Sequence, residues 1–201
     1  TCINIVEPSG RQTEFLEPGL VVSSEIAESF MRRFKGLVAS ARAVTISGSL
    51  PQGLPVDFYA RLIGVCKKAG KPVILDTSGR LLQAGVAAKP DMIKPNLEEL
   101  SQLLGRDAGQ TPDEVAAAAR RLHDSGIALV VVSMGSRGAV AAGREGVYHA
   151  APPSIQAVSA TGSGDSMTAG FAVGLVRGWP LEKTLCFATA AAAANALELE
   201  T

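Results

Sequence analysis

This sequence has few aromatic residues, no net charge and no closely spaced cysteines. Each of these features argues against a class of protein. Aromatic residues make up 4% of the chain and the formal net charge is zero, so neither base stacking nor attraction to phosphate favours a nucleic-acid partner. The three cysteines are far apart and only two histidines occur, which argues against a zinc site. Such isolated cysteines are typical of buried free thiols in a reducing cytoplasm. No run of about 18 apolar residues is present that would span a membrane. We therefore expect a cytoplasmic protein without a nucleic-acid or membrane partner.

The overall composition indicates a globular protein with a large core. The chain has 201 residues, of which 47% are hydrophobic and 19% are charged, as in ordinary globular domains. The sequence has no initiator Met, begins inside a strand-like pattern and stops directly after a predicted helix. We therefore expect it to be a piece of a longer polypeptide.

Predicted strands and helices alternate along most of the chain, after an initial hairpin. The predicted strands cover 2–6, 12–16, 43–47, 72–76, 92–94, 127–133, 139–142 and 147–150. The predicted helices cover 24–41, 56–69, 80–88, 96–104, 112–124, 164–176 and 181–197. This alternation predicts an α/β fold in three layers, with a mostly parallel sheet and helices on both faces.

Polar or glycine-rich segments follow the ends of several predicted strands. They are Gly48-Ser49, Asp76, 94–96, 133–135 and 162–165. Ligands of open α/β sheets bind where the carboxyl ends of the strands open into loops. We therefore expect a binding site at this edge of the sheet, although the sequence does not assign a role to Asp76.

A glycine-rich segment before the apolar run 171–176 carries the strongest indication of chemistry. It contains Gly162, Ser163, Gly164 and Asp165. A helix starting near Gly164 would direct unpaired N–H groups and the positive end of its dipole at the glycines, which makes an anion site. A carboxylate at such a place fits better as a base for a hydroxyl that attacks phosphate. The structural alternative is an ordinary acid in the first turn of a helix.

Two further segments have both a structural and a functional interpretation. Asn96 followed by Glu99 resembles a capping box, but the same side chains would also lie near phosphates and a magnesium ion. The segment 133–138 is either a simple β-turn or a place where glycines let the backbone approach a nucleotide. Arg137 within it could face phosphate or water. A Walker A loop, a dinucleotide-binding fingerprint and a nucleophile elbow are all absent from the sequence, which removes three common alternatives.

Four motifs together resemble those of the ribokinase-like, PfkB-type carbohydrate kinases, in their order and spacing. They are 46–53 (ISGSLPQG), 94–100 (KPNLEEL), 132–139 (VSMGSRGA) and 161–167 (TGSGDSM). The sequence looks most like the hexose-phosphate branch, with 1-phosphofructokinase and tagatose-6-phosphate kinase. The resemblance covers essentially all of this chain but only about the last two thirds of the family.

The resemblance implies ATP-dependent phosphorylation of a primary hydroxyl of a ketose phosphate, of the fructose-1-phosphate or tagatose-6-phosphate type. Asp165 would take the hydroxyl proton, and Gly162, Ser163 and Gly164 would form an anion hole. Asn96 and Glu99 would organise Mg²⁺ and the nucleotide phosphates, and a monovalent cation is a further implied cofactor. The other implied contacts are Gly48 and Ser49 to the sugar, and Lys94, Ser133, Gly135, Ser136, Arg137, Gly138 and Thr161 to the nucleotide.

The resemblance also implies a division of the chain into two parts. Residues 1–19 would belong to the family's lid, a small β-sheet that covers the sugar and forms a homodimer, and residues 20–201 to the nucleotide-binding and catalytic core. The family's N-terminal third, with the acid that grips the sugar, has no counterpart here. The final helix also stops before the loop that closes the adenine and monovalent-cation sites. We therefore expect the isolated chain to bind ATP weakly and to lack sugar-kinase activity.

Two other functions remain open at this stage. A related kinase for an unphosphorylated sugar or a nucleoside would present a similar glycine loop and acid. A nucleotide-binding module that has lost catalysis is the non-enzymatic alternative, and the retention of Asp165, Asn96 and Glu99 argues against it.

Overall fold

The computed structural model describes residues 2–6, 12–16 and 19–198. The strands of this described part are β1 (Cys2–Val6), β2 (Gln12–Leu16), β3 (Val44–Ser47), β4 (Val73–Asp76), β5 (Met92–Ile93), β6 (Leu129–Ser133), β7 (Ala139–Gly143) and β8 (Gly146–Ala150). Its α-helices are α1 (Ser24–Ser40), α2 (Phe58–Lys68), α3 (Gly79–Ala87), α4 (Leu97–Leu104), α5 (Pro112–Asp124), α6 (Ser163–Arg177) and α7 (Leu181–Asn195).

The main sheet has six strands in the order β3-β4-β5-β6-β7-β8. The first four are parallel, whereas β7 and β8 add an antiparallel edge. The predicted mostly parallel sheet is thus confirmed, and the carboxyl ends of β3, β4, β5 and β6 open at one edge. The small sheet pairs β1 with β2 antiparallel, as predicted; the loop that the sequence predicts at 7–11 lies outside the described residues.

Alternate side chains of the strands enter two cores on opposite faces of the sheet. On one face Val73 and Leu75 join a core that includes residues from all five helices α1 to α5. On the other face Ile74 packs with Phe171 of α6 and Leu185 of α7. Because adjacent residues of a strand point to opposite faces, this continuous apolar strand serves both cores. The predicted three-layer α/β architecture is therefore confirmed.

Helices α6 and α7 approach each other closely because small residues face one another. A Cβ atom added at Gly170 would lie 2.7 Å from the Cα atom of Ala188, closer than real side-chain contacts allow. Helix α6 has no sharply separated apolar and polar faces in its sequence, yet it is packed into the core through Met167 and Phe171. This packing fixes the N-terminal end of α6 at the open edge of the sheet.

Apolar residues at helical spacing predict one apolar face of α1, made of Ile26, Phe30, Phe34, Leu37 and Val38. The structure buries this face only in part. Ile26, Phe30 and Leu37 are 59%, 49% and 59% exposed, whereas Val38 is buried. Partly buried residues on the same helix, Met31 and Phe34 among them, complete its contact with the core. Phe34 and Val38 of the predicted face therefore pack against the core, whereas its other three residues are largely exposed.

The expectation of buried thiols also holds only in part. Cys66 is buried in α2, but Cys186 is exposed on α7. Its neighbour Leu185 is buried, and successive helical residues point about 100° apart. The side chain of Cys2 lies outside the described part of the structure.

Candidate active site

A cleft lies where the carboxyl ends of β3, β4 and β5 face the start of α6. It is lined by Gly48, Ser49, Asp76, Thr77, Ser78, Lys94, Glu99, Gly162, Gly164 and Asp165. Segments that are far apart in the sequence meet here because parallel strands end at the same edge. Of the predicted strand-end segments, all but 133–135 contribute to the lining of this cleft.

The glycine loop reaches the cleft through a backbone conformation that requires glycine. Gly162 precedes α6 with a φ of 78°, in the left-handed region that side chains with a Cβ disfavour. The N–H groups of Gly164 and Asp165, in the first turn, have no carbonyl partner four residues earlier within the helix. Asp165 is exposed and lines the cleft. The structure thus places a carboxylate at the positive end of a helix dipole, facing solvent.

A buried ion pair lies at the base of the cleft. The Nζ atom of Lys94, in a residue that is 6% exposed, is 3.2 Å from Oδ1 of Asp76. The hydroxyl of Thr168 on α6 donates to the other oxygen of Asp76 at 2.7 Å. A buried ammonium group is tolerated when a counter-charge is close. Asp76, whose role the sequence left open, therefore connects β4, Lys94 and α6.

Asn96 and Glu99 form a capping box at the start of α4. The Asn96 side chain accepts from the Glu99 N–H at 2.9 Å, and the Glu99 carboxylate accepts from the Asn96 N–H at 2.9 Å. Burial raises the pKa of the Glu99 carboxyl, although the Asn96 N–H and the Lys94 charge oppose this shift. The structural interpretation is thus observed, and Glu99 also lines the cleft.

The donor set suits a cation that is bound mainly by other ligands. Among the described residues, no three His, Cys, Asp or Glu side chains converge to hold a metal ion. Magnesium usually keeps several waters and uses one or two carboxylates together with substrate phosphates. Glu99 fits this pattern, since one of its oxygens is held by the capping box while the residue borders the cleft.

The segment 133–138 lies beside α4 rather than in the cleft lining. The Ser133 N–H donates to the Pro95 carbonyl at 3.0 Å, which ties it to the segment before Asn96. It continues as a 3₁₀ turn over Gly135–Arg137, which includes Ser136. Gly138 closes the turn, where a Cβ atom would clash with the Ala150 carbonyl.

Arg137 is exposed to solvent, and its guanidinium group also binds a neighbouring loop. It donates to the backbone carbonyl and, at 3.0 Å, to the side-chain oxygen of Gln110 in the loop before α5. Its backbone carbonyl lies 2.8 Å from the His149 ring. In this structure Arg137 joins two loops and strand β8.

The end of α7 supports the glycine loop from behind. The Ala196 carbonyl accepts from the Val158 and Ser159 N–H groups at 2.7 Å and 3.2 Å. The Ser163 hydroxyl donates to the Asn195 side chain at 3.2 Å, and the Thr161 N–H donates to the Ser159 hydroxyl at 3.2 Å. Ser163 and Thr161 are thus next to the cleft, without being part of its lining.

The side of the cleft that carries Gly48 and Ser49 is held by two hydroxyl groups. The single Tyr59 hydroxyl proton lies between the carbonyls of Gly48 and Ser49, with Oη at 3.3 Å and 3.0 Å from them, and Thr77 donates to the Gly48 carbonyl at 2.7 Å. Burial raises the pKa of the Tyr59 hydroxyl. These bonds fix the loop that follows β3.

Sequence reasoning missed three residues of this region. Thr77 and Ser78 line the cleft, and they could have been found because they continue the polar segment that begins with Asp76 at the end of β4. Thr168 is a buried polar residue one turn after Asp165. Its only signal in the sequence is a hydroxyl within an otherwise apolar helical segment.

The mostly parallel sheet and its cleft place the protein in the ribokinase-like α/β class. The whole chain, residues 1–201, matches the model of the pfkB family of carbohydrate kinases, and the chain belongs to that family. Among the described residues, none of the helices has both the length and the apolar character that crossing a bilayer requires.

Several solved structures are similar to this chain over nearly its whole length. Phosphofructokinase-2 of Escherichia coli, in complex with potassium, has a TM-score of 0.90 at 32% identity, over 100% of this chain and 65% of that one. A protein of Thermotoga maritima described as "Possible 1-phosphofructokinase" has a TM-score of 0.87 at 26% identity, over 99% and 63%. Ribokinase of Arabidopsis thaliana, with ribose and ATP, has a TM-score of 0.70 at 26% identity, over 100% and 62%. The chain therefore spans slightly less than two thirds of these proteins.

Proposed function

We propose that this chain is the nucleotide-binding and catalytic part of an ATP-dependent kinase that phosphorylates a primary hydroxyl of a ketose phosphate. The observation that carries the proposal is the position of Asp165, exposed in the cleft at the N-terminal end of α6. Membership of the pfkB family supplies the reaction class.

The proposed mechanism assigns two tasks to the first turn of α6. The Asp165 carboxylate would accept the proton of the attacking sugar hydroxyl, which makes the oxygen a better nucleophile. The N–H groups of the turn that begins at Gly162, with Ser163 and Gly164, would stabilise negative charge on the phosphoryl group as it moves. No basic side chain is needed for this, because the helix dipole favours an anion there.

The proposed cofactors are ATP and Mg²⁺, with a monovalent cation as a further candidate. Glu99 and Asn96 would orient the hydrated magnesium ion beside the nucleotide phosphates, where magnesium neutralises phosphate charge when it is bound. The nucleotide would extend from Lys94 and Thr161 toward the 133–138 turn, while Gly48 and Ser49 would contact the sugar. The cation proposal is supported by the potassium complex of the Escherichia coli protein.

A ketose phosphate is favoured over an unphosphorylated sugar or nucleoside by the likeness to phosphofructokinases. Phosphofructokinase-2 of Escherichia coli has been solved with fructose-6-phosphate, and its potassium complex has the higher TM-score, 0.90 against 0.70 for ribokinase. Fructose-6-phosphate therefore joins fructose-1-phosphate and tagatose-6-phosphate as a candidate substrate.

We also propose that residues 1–19 belong to a lid that forms a homodimer in the intact protein and that residues 20–201 form the core. The antiparallel pair β1 and β2 forms a sheet separate from the main one, and a hairpin of this size is only marginally stable alone. A tetrameric form is known for the inhibited Escherichia coli enzyme. The cytoplasm is the proposed compartment for such an ATP-dependent reaction.

The substitution Asp165→Asn in the full-length protein tests the assigned base. We expect turnover to fall by about a thousandfold, within the range that positioned proton transfer contributes, while ATP affinity changes little. The measurement is a coupled ADP-release assay together with calorimetric titration of ATP. Asp113→Asn is the matched control, since Asp113 is also an acid in the first turn of a helix. Near-normal turnover of Asp165→Asn would reject the base.

The substrate class is tested with a panel of acceptors on the full-length wild-type protein. Turnover with fructose-6-phosphate, fructose-1-phosphate or tagatose-6-phosphate, and not with fructose, ribose or adenosine, is the expected result. The opposite preference would favour the alternative kinase. ATP binding without turnover on any acceptor would favour a non-catalytic module.

A further inference from the structure

Thr168, Asp76 and Lys94 form a polar cluster beneath the cleft, and each comes from a different element. Thr168 belongs to α6, Asp76 ends β4 and Lys94 follows β5. Thr168 is 3% exposed, and the side chains of Lys94 and Asp76 are 6% and 16% exposed. Buried polar groups without partners are costly, so the arrangement of their bonds constrains all three elements.

The single hydroxyl proton of Thr168 has two acceptors within reach. The carboxylate oxygen of Asp76 lies at 2.7 Å and the Gly164 carbonyl at 3.1 Å. Neither acceptor has a proton to give back, and a hydroxyl has only one to donate. The shorter bond to an ionised acceptor is the stronger one, so the Thr168 hydroxyl donates its hydrogen bond mainly to Asp76.

The two oxygens of Asp76 are consequently both engaged. Oδ2 accepts from Thr168 and Oδ1 faces the Lys94 ammonium group at 3.2 Å. Loss of either partner would leave the carboxylate free to rotate. Thr168 therefore sets the orientation of the group that holds Lys94.

Lys94 retains hydrogen-bonding capacity on the side of the glycine loop. Its ammonium group has three N–H donors, and among the described residues Asp76 is its one side-chain partner. The Nζ atom would lie 3.5 Å from a Cβ atom added at Gly164. A nearly buried positive charge thus stands beside the first turn of α6, where its remaining donors suit an anionic ligand.

We propose that Thr168 is a positioning residue for the phosphoryl-transfer site. By fixing Asp76, it holds the Lys94 charge against the glycine loop and ties the first turns of α6 to the end of β4. This inference rests on the proposed function for its effect on catalysis, whereas its structural part does not. It predicts that the hydroxyl of Thr168, rather than the volume of its side chain, matters for turnover.

The test compares Thr168→Val, which keeps the shape and removes the hydroxyl, with Thr168→Ser, which keeps the hydroxyl. Thr189→Val is the matched control, because Thr189 is equally buried and its hydroxyl has no hydrogen-bond partner in the described part of the chain. In the full-length protein with ATP and fructose-6-phosphate, we expect kcat of Thr168→Val to fall about tenfold to a hundredfold, as for a lost hydrogen bond to a buried charged group. KM should change much less, since the ligands' other contacts are kept. Thr168→Ser and Thr189→Val should stay within about threefold of wild type.

A second readout needs no turnover. In ¹H–¹⁵N spectra of the unliganded protein, Thr168→Val should shift the amide signal of Lys94, which, among the residues that the structure describes, is linked to Thr168 only through Asp76, and Thr189→Val should leave it in place. If Thr168→Val shifts this amide signal but the wild-type protein has no kinase activity, the positioning role stands and the proposed function is rejected. An unmoved signal, or a kcat of Thr168→Val equal to that of Thr189→Val, would overturn the positioning role. If Thr168→Val does not fold, Thr168→Ala is measured against Thr168→Ser; equal kcat values would overturn it as well.

Discussion

Two capping boxes of the same chain have nearly the same local geometry but different surroundings. At the start of α4, Asn96 and Glu99 exchange two hydrogen bonds of 2.9 Å each. At the start of α5, Thr111 and Glu114 exchange bonds of 3.0 Å and 3.3 Å. Both pairs satisfy N–H groups that a helix start leaves open.

The two glutamates respond to their positions in opposite directions. Glu99 is half-buried at the cleft, and burial raises the pKa of its carboxyl. Glu114 is exposed, and the N–H groups of Thr111 and Gln110 lower the pKa of its carboxyl. A half-buried carboxyl with a raised pKa beside a cleft is typical of functional sites. Position in the fold thus separates the glutamate proposed to act in the cleft from the one that only caps a helix.

The substitutions Glu99→Gln and Glu114→Gln test whether the two glutamates differ in their effect on magnesium dependence, where we expect the largest difference. Glutamine still accepts a hydrogen bond, so both caps keep most of their geometry. We expect Glu99→Gln to raise the magnesium concentration for half-maximal turnover roughly tenfold or more, as for the loss of a group that orients a bound metal. Glu114→Gln should leave the magnesium titration unchanged. Identical titrations for both variants would leave Glu99 with its capping role alone.

The sequence predicted those parts of the fold that depend on neighbours along the chain. The alternation of strands and helices, the capping box of Asn96 and Glu99 and the start of α6 all follow from local patterns. The convergence of Gly48, Lys94 and Asp165 also followed, because the carboxyl ends of parallel strands share an edge. The family motifs then indicated the same residues.

The sequence could not predict contacts between groups far apart in the chain. Thr168 reaches Asp76 across 92 positions, and nothing local marks either residue as a partner. The same reason explains α1, where the predicted apolar face includes Val38, which is buried, but also Phe30 and Leu37, which are 49% and 59% exposed. For such residues the packing of distant elements decides the outcome.

Removal of the two N-cap side chains compares the effect of each cap on the free energy of unfolding with its effect on turnover. Asn96→Ala and Thr111→Ala should each lower the free energy of unfolding by about 1 kcal/mol, the usual contribution of an N-cap side chain. Urea denaturation monitored by circular dichroism measures both. Turnover should fall for Asn96→Ala and stay unchanged for Thr111→Ala. A loss of turnover in both variants would mean that any weakened helix start disturbs the cleft.

The smallest expected effect concerns the pH dependence of stability, and here the two glutamates should differ in sign. The pKa of Glu114 is lowered on folding. Between that lowered pKa and the ordinary value of about 4.3, the unfolded chain therefore binds more protons than the folded one. The contribution of Glu114 to stability is lost as the pH falls through this window. The pKa of Glu99 is raised on folding, so its ionisation lowers stability as the pH rises through its own window above the ordinary value. Relative to wild type, the melting temperature of Glu114→Gln should therefore decrease with rising pH, whereas that of Glu99→Gln should increase. Calorimetric scans of the three proteins between about pH 3 and about pH 7 measure both trends; trends of the same sign would show that the two caps share one electrostatic environment.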